Sequence, residues 1–104
     1  MRKAALGGLV DLAEKAGEAA QLLKLIANER RLLILCQLAE AGEASVGALA
    51  DAVGLSQSAL SQHLAKMREE NIVASRREAQ TMFYRIADRK VARLLALLKD
   101  IYCR

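Results

Sequence analysis

Apolar residues recur at helical spacing along most of the chain, and residues that favour helix ends separate the runs. The pattern predicts five α-helices, over about residues 4–27, 29–41, 46–53, 57–71 and 89–102. The predicted N-caps are Asn28, Ser45, Ser56 and Asp88, and the residues suited to helix C-termini are Gly42 and Gly54. The centre of the second helix, LLILCQLA, is apolar nearly all round, which predicts that this helix is the buried hub.

The period changes between Ile72 and Ala87. Apolar and polar residues alternate there, with β-branched or aromatic residues on the flanks, and this predicts two strands around a turn near Ala79 and Gln80. Ahead of this hairpin, a short helix, a Gly-containing turn and a second helix form a helix-turn-helix pattern. The predicted fold is therefore mainly α with a small β-hairpin. It is a winged helix-turn-helix in a single domain, residues 1–104.

Composition narrows the class of protein. The 104 residues suffice for one domain, and the net charge of +4 permits a polyanionic partner. No apolar stretch is long enough to span a membrane, and Asp11, Glu14 and Lys15 interrupt the N-terminal apolar run too early for a signal peptide. We therefore expect a cytoplasmic protein, in which the two cysteines are reduced by default.

The fourth predicted helix begins with neutral hydrogen-bonding side chains instead of the Lys and Glu that usually cover a solvated helix. In a helix-turn-helix, the N-terminal residues of the second helix meet base edges in the major groove. Ser and Gln are suited to base and phosphate contacts, although the same composition also occurs in a capped, solvated helix. The candidate DNA-binding residues are Ser56, Gln57, Ser58, Ser61, Gln62 and His63. For His63 the alternative is a partly exposed residue on the flank of the helix.

The basic excess lies in the hairpin and the last helix. The segment 71–90 carries five basic and two acidic residues, whereas residues 1–44 carry six of each. A basic wing beside a recognition helix is placed to contact phosphates, so Arg76, Arg77 and Gln80 join the predicted DNA-binding residues. A pure protein-interaction module would need no basic hairpin. No catalytic constellation or Gly-rich phosphate loop is present, so neither an enzyme nor a cofactor is expected.

Three blocks carry a resemblance to a known family: LIANERRLLILCQLAE, GLSQSALSQHLAKMREENIV and RREAQTMFYRIAD. In order and spacing they resemble the ArsR–SmtB winged-helix repressors, and the resemblance covers about residues 19–104. It implies a homodimer on inverted-repeat, double-stranded operator DNA, with base contacts on the helix that begins Ser56–Gln57–Ser58. One departure is Ala79, because a Gly is usual near the wing tip and a positive φ costs Ala more than Gly.

The terminal helices also bear on the oligomeric state. They are more apolar than the surface of a monomer should be, and a winged helix-turn-helix core needs only about residues 29–87. We therefore expect them to pack on a second copy of the chain. The alternative is that they close the core of one protomer.

Cys36 and Cys103 are separated by 67 positions and form no CxxC motif. Buried cysteines often act only as small hydrophobic residues, but a cysteine next to the C-terminus is usually accessible. The two positions are similar to those of the cysteines in the BigR- and SqrR-like subgroup of the family. That resemblance implies a pair that senses reactive sulfur species, including persulfides, through a disulfide or polysulfide link that releases DNA.

Several alternatives remain open for the thiols. We expect Cys36 to attack and Cys103 to resolve, but the roles reverse if burial in the apolar helix raises the pKa of Cys36. The rival function is a repressor of the same family that senses a metal ion or another ligand, with structural cysteines. One His and two Cys are few ligands for tetrahedral zinc, and His63 lies on the predicted DNA helix, so no metal site is predicted.

Overall fold

The computed structural model describes the backbone of residues 3–103 and the side chains of residues 11–103. Within this part, the five predicted helices and the two predicted wing strands follow one another in the predicted order, and a short third strand is added between the second and third helices. The elements are α1 (Lys3–Ile26), α2 (Glu29–Ala41), β1 (Ala44–Ser45), α3 (Val46–Val53), α4 (Gln57–Glu69), β2 (Val73–Glu78), β3 (Thr81–Ile86) and α5 (Arg89–Tyr102). The predicted winged helix-turn-helix is confirmed, with α3 and α4 as the helix pair and β2–β3 as the wing. None of the helices in residues 3–103 is both long enough and apolar enough to span a membrane.

Local capping explains where four of the helices begin. Each predicted N-cap accepts a hydrogen bond from a backbone N–H of the first turn, which satisfies a donor that the helix itself leaves free. Ser56 Oγ, for example, accepts from Ala59 N at 3.1 Å, and Asp88 Oδ1 accepts from Lys90 N at 2.8 Å. Gly54 ends α3 with φ +69°, a left-handed conformation in which Gly has no Cβ penalty.

Two non-glycine residues also adopt positive φ. Ala79 has φ +56° in the two-residue turn between β2 and β3, so the wing keeps a left-handed turn although it lacks the usual Gly. Asn71 has φ +60°, and α4 ends at Glu69, two residues before the predicted end. Asn tolerates the left-handed region, which explains why the chain leaves the helix there.

The core forms where α2, α3, α4 and α5 meet the base of the wing. The buried apolar residues are Ile26, Ile34, Leu35, Leu38, Leu49, Ala50, Leu60, Leu64, Met67, Ile72, Val73, Val91 and Leu95. The predicted hub, α2, contributes three buried residues to this core, but its burial is limited to one side and the other side faces solvent. Leu33 is 50% exposed and Cys36 is also exposed, while Ile34, Leu35 and Leu38 are buried.

The sheet has three strands in the order β1-β3-β2, one more than predicted. In β1, Ala44 pairs with Tyr84 and Ser45 pairs with Phe83. A two-residue strand has too little periodicity to be visible in a sequence, and Ser45 also caps α3. The added strand ties the wing to the segment that links α2 and α3.

Among the described side chains of α1, residues 11–26, most lie outside the core. Those of the last turns pack inward, through Ile26 with the half-buried Leu22 and Leu25, whereas Leu12 is 60% exposed. The apolar side chains of α5 divide in the same way: Val91 and Leu95 are buried, but Leu97 and Ile101 are exposed.

Candidate nucleic-acid interface and dithiol pocket

The start of α4 presents a polar, uncharged strip to solvent. Leu60, Leu64 and Met67 anchor the opposite side of the helix in the core. The strip consists of side chains that are all exposed, namely Ser56, Gln57, Ser58, Ser61 and Gln62. The Ser56 hydroxyl caps the helix, so as an acceptor it is engaged with Ala59 N. Five of the six candidates on α4 therefore share one accessible surface next to a helix N-terminus, where N–H groups favour a phosphate.

His63, the sixth candidate, lies apart from this strip. Its side chain is half-buried, and desolvation lowers its pKa from the ordinary value of 6.5. The positive charges of Arg31 and Arg30 at the start of α2 lower that pKa further. This environment agrees with the alternative of a flank residue beside α2.

On the wing, the guanidinium of Arg76 is held by two carboxylates. Its Nε and Nη2 donate to the two oxygens of Glu43 at 2.8 Å, and Nη1 donates to Glu78 at 2.7 Å. The same guanidinium lies 4.6 Å from the ring centroid of Phe83, its cross-strand partner. Such a bidentate pair stacked on an aromatic ring has defined geometry, so Arg76 connects the wing to the segment after α2.

Arg77 and Gln80 are exposed near the wing tip. Arg77 pairs across the hairpin with Met82 and points to the face of the sheet opposite to that of Arg76. Within residues 11–103, no hydrogen bond or ion pair involves the Arg77 side chain. Its five donors are therefore available to a phosphate, in contrast to those of Arg76. The Glu43 contact lies 33 residues away in sequence and has no motif that predicts it.

Cys36 and Cys103 line the same pocket between α2 and α5. The pocket has a volume of about 580 Å³ and is mostly apolar. Its lining residues are Cys36, Leu38, Ala39, Glu40, Gly42, Ile86, Ala92, Leu95, Ala96, Leu98, Lys99, Tyr102 and Cys103. Both cysteines are free thiols and both are exposed, whereas the sequence predicted a buried Cys36.

The ionisable side chains that line the pocket shift one another's pKa values. Partial burial against the apolar lining raises the pKa of the Cys36 thiol, and the neighbouring Cys103 thiolate raises it further. One turn from the thiols, Lys99 Nζ donates to Glu40 Oε2 at 2.7 Å. This ion pair lowers the pKa of Glu40 and raises that of Lys99, and the Cys103 thiolate adds to the rise for Lys99. A raised pKa of Cys36 is the condition under which we expect the roles of the two thiols to reverse, and its larger cause is partial burial.

Among the described residues, no three His, Cys, Asp or Glu side chains come together as a group that could hold a metal ion.

Comparisons with known proteins place this geometry in a family. The profile described as "Bacterial regulatory protein, arsR family" matches residues 28–75, from the N-cap of α2 into β2. The transcriptional activator HlyU of Vibrio cholerae is 46% identical over 102 residues, which are 98% of this chain and 94% of HlyU. The biofilm growth-associated repressor of Xylella fastidiosa is 42% identical and covers 89% of this chain and 81% of its own.

Solved structures agree with these relatives. The structure of reduced HlyU from Vibrio cholerae matches with a TM-score of 0.84 at 47% identity, over 90% of this chain and 98% of that one. The transcriptional repressor BigR from Xylella fastidiosa also matches with a TM-score of 0.84, at 41% identity, over 90% of this chain and 95% of that one. The chain therefore belongs to the ArsR family of bacterial regulatory proteins, which are winged-helix transcription regulators and not enzymes.

Proposed function

We propose that this protein is a transcriptional repressor that senses reactive sulfur species through Cys36 and Cys103, and that linking the two thiols releases operator DNA. The observation that carries the proposal is the shared pocket, in which the two free thiols of the chain lie within electrostatic reach of each other. A thiol pair that served only as core packing would be buried, and both members are exposed. Two solved relatives, described as reduced HlyU and as the repressor BigR, have the same fold.

The chemistry begins at Cys103. The raised pKa of Cys36 leaves less of it as thiolate, and the thiolate is the nucleophile. The Cys103 thiolate attacks the outer sulfur of a hydropersulfide RSSH, which gives a persulfide on Cys103 and releases RS⁻. The Cys36 thiolate then attacks the inner sulfur and expels HS⁻, so the dithiol is oxidised and the transferred sulfur is reduced. A second sulfur transfer before closure leaves a trisulfide bridge by the same displacement.

The link acts on DNA binding through the two helices that it joins. A disulfide requires Cα atoms about 4.4–6.8 Å apart, and added sulfur atoms extend that range. A bridge between α2 and α5 therefore changes the position and orientation of α5 relative to α2, and α2 leads into α3 and α4. In a dimer on two half-sites about one DNA turn apart, a small rotation of one α4 against the other costs affinity.

The exposed apolar residues of the terminal helices support a homodimer. They are Leu12 and Leu23 on α1 and Leu97, Ile101 and Tyr102 on α5. Leu12→Lys should shift the protein toward monomer in sedimentation velocity. Glu14→Gln changes the charge by the same amount on the opposite side of α1 and should not. If Leu12→Lys remains as dimeric as the parent, α1 is not part of the interface.

We propose that the polar strip of α4 contacts base edges of the operator, and that Arg77 and Gln80 contact the phosphate backbone of the DNA. Gln57→Ala should cost about 1–3 kcal/mol of binding free energy and relax the base preference. Gln21→Ala, the same change on the exposed surface of α1, is the matched control. If Gln57→Ala binds with unchanged affinity and preference, α4 does not read DNA through this strip.

The sensing proposal is tested by intact mass and DNA binding on the same samples. After treatment with an organic persulfide donor, the wild-type protein should form a sulfur bridge and leave the operator. Cys36→Ser and Cys103→Ser should each bind like the reduced parent, gain at most an open persulfide, and stay bound. Release of either single variant as readily as the parent would mean that the cysteines are structural. The inducer would then be a metal ion or another ligand.

A further inference from the structure

The thiols are one of two pairs that connect α2 and α5. Cys36 and Glu40 are four residues apart on α2, and Lys99 on α5 is four residues before Cys103, the residue that caps the C-terminus of α5. On α2, Cys36 and Glu40 therefore lie on one face of the helix, about one turn apart, and Lys99 likewise lies about one turn before Cys103. The Cys103 N–H donates to Lys99 O at 2.8 Å, so the helical spacing persists up to the second thiol. The ion pair Glu40–Lys99 thus lies beside the thiol pair, at the same pocket.

Charge in this pocket is confined to one place. Apart from the thiols, Glu40 and Lys99 are the only ionisable residues with a formal charge at neutral pH among the described lining residues. The rest of the lining is dominated by aliphatic side chains such as Leu38, Ile86 and Leu95. The Lys99 ammonium interacts electrostatically with the Cys103 thiolate as well as with Glu40. A small anion that approaches the thiols therefore meets one cation among the described lining residues, and Glu40 partly neutralises it.

We propose that Lys99 is the anion-recognition residue of the dithiol pocket and selects anionic sulfane-sulfur donors, namely hydropersulfide and polysulfide anions, over neutral thiol oxidants. Glu40 holds the ammonium at the pocket and moderates its attraction. The inference rests on the proposed sulfur-sensing function and names the charge class of its inducer. It also assigns a role to an ion pair that packing alone does not require, since both side chains are more than 60% exposed.

The reaction with an inorganic polysulfide shows where the charge matters. The Cys103 thiolate attacks a terminal sulfur of tetrasulfide, S₄²⁻, which gives a Cys103 persulfide anion and releases trisulfide, S₃²⁻. The attack brings a thiolate and a dianion together, and their repulsion slows the step. The Lys99 ammonium reduces this repulsion, whereas it has no comparable effect on an uncharged oxidant.

The test compares two reagents on four proteins. Sodium tetrasulfide is the anionic donor and diamide is the neutral two-electron oxidant of thiols. The proteins are the wild type, Lys99→Met, Glu40→Gln and the control Lys90→Met. Lys90 is also an exposed α5 lysine paired with a glutamate of another helix, Glu18 at 3.8 Å, but it does not line the pocket. The bridged fraction is followed by intact mass after quenching with N-ethylmaleimide.

The ratio of the tetrasulfide rate to the diamide rate is the decisive quantity, because a change in thiolate fraction affects both reagents alike. Lys99→Met should lower this ratio about three- to tenfold, since an unpaired carboxylate remains. Glu40→Gln should raise it by a similar factor, and added salt should reduce that gain. Lys90→Met should leave it unchanged.

A purely structural ion pair predicts a different result, because breaking it from either side would move both rates in the same direction. Ratios that are equal in all four proteins, or that change in the same direction for Lys99→Met and Glu40→Gln, would overturn the role of Lys99. If the wild-type protein forms no sulfur bridge with tetrasulfide at all, the sensing proposal itself fails.

Discussion

Arg76 and Arg77 are neighbours on β2, but their guanidinium groups have different surroundings, and this leads to a testable difference in DNA binding. Arg76 is neutralised by Glu43 and Glu78. Arg77 is exposed, without an ion pair among residues 11–103. Arg77→Ala should therefore remove a phosphate contact, whereas Arg76→Ala should loosen the wing without removing one.

The magnitude follows from counterion release. Each neutralised phosphate contributes about 0.9 to the slope of log K against log salt concentration. If a dimer presents Arg77 twice, the slope of Arg77→Ala should be shallower than that of the wild type by about 1.8. Between about 50 and 200 mM salt, the wild type should then lose about 12-fold more affinity than Arg77→Ala does. Arg76→Ala should weaken binding by a factor that is nearly independent of salt.

The assay is fluorescence anisotropy of a labelled operator duplex, selected with the wild-type protein and titrated with reduced protein at several salt concentrations. The two variants remove the same side chain from adjacent positions, so each serves as the control for the other. Equal changes of the salt slope for both variants, or a larger change for Arg76→Ala, would refute two assignments. These are the structural role of the Arg76 ion pairs and the role of Arg77 as the phosphate contact.

Three further predictions concern stability and reactivity. Ala79→Gly should raise the free energy of unfolding by up to about 1 kcal/mol, because relief of a left-handed Ala, about 1–2 kcal/mol, exceeds the entropy cost of Gly, about 0.4–1 kcal/mol. Ala74→Gly in β2 should lower it in the same urea titration, and a similar loss for both variants would contradict the strain at Ala79. The pKa of His63 is lowered in the folded state from its ordinary value of 6.5. The contribution of His63 to the free energy of unfolding is therefore complete above pH 6.5 and is lost as the pH falls below that value. His63→Gln should accordingly lose less stability than the wild type between about pH 7.5 and 5, and parallel curves would argue against this. In Cys103→Ser, iodoacetamide should alkylate Cys36 with a half-maximal rate above pH 9.0, since burial, the larger cause of its raised pKa, remains; a midpoint below 9.0 would be inconsistent with that burial.

The sequence alone was sufficient for the elements and their order. Helix ends depend on nearby residues, so the sequence predicted the N-caps Asn28, Ser45, Ser56 and Asp88. In the structure all four side chains accept hydrogen bonds from first-turn N–H groups. The inward stripe of α4 follows from the helical period in the same way. Because that stripe determines which side chains point outward, the polar strip of α4 was also predictable.

Tertiary structure decided which side of α2 is covered. An apolar run such as LLILCQLA does not say which of its residues will meet a partner within the chain, so Leu33 and Cys36 were expected to be buried and are exposed. The third strand depends on pairing between Ala44 and Tyr84, which are 40 positions apart, and two residues carry no detectable period.

The ion pairs could not be predicted from the sequence either. Arg76 looked like any other basic wing residue until the fold placed Glu43 at 2.8 Å from it, and Lys99 meets Glu40 only because α5 packs beside α2. Charges of this kind acquire partners through contacts between segments that are 33 and 59 residues apart. Local spacing thus determined where the elements and the α4 strip lie. The packing of distant segments decided which wing arginine is paired with carboxylates among the described residues and which cation lies beside the thiols.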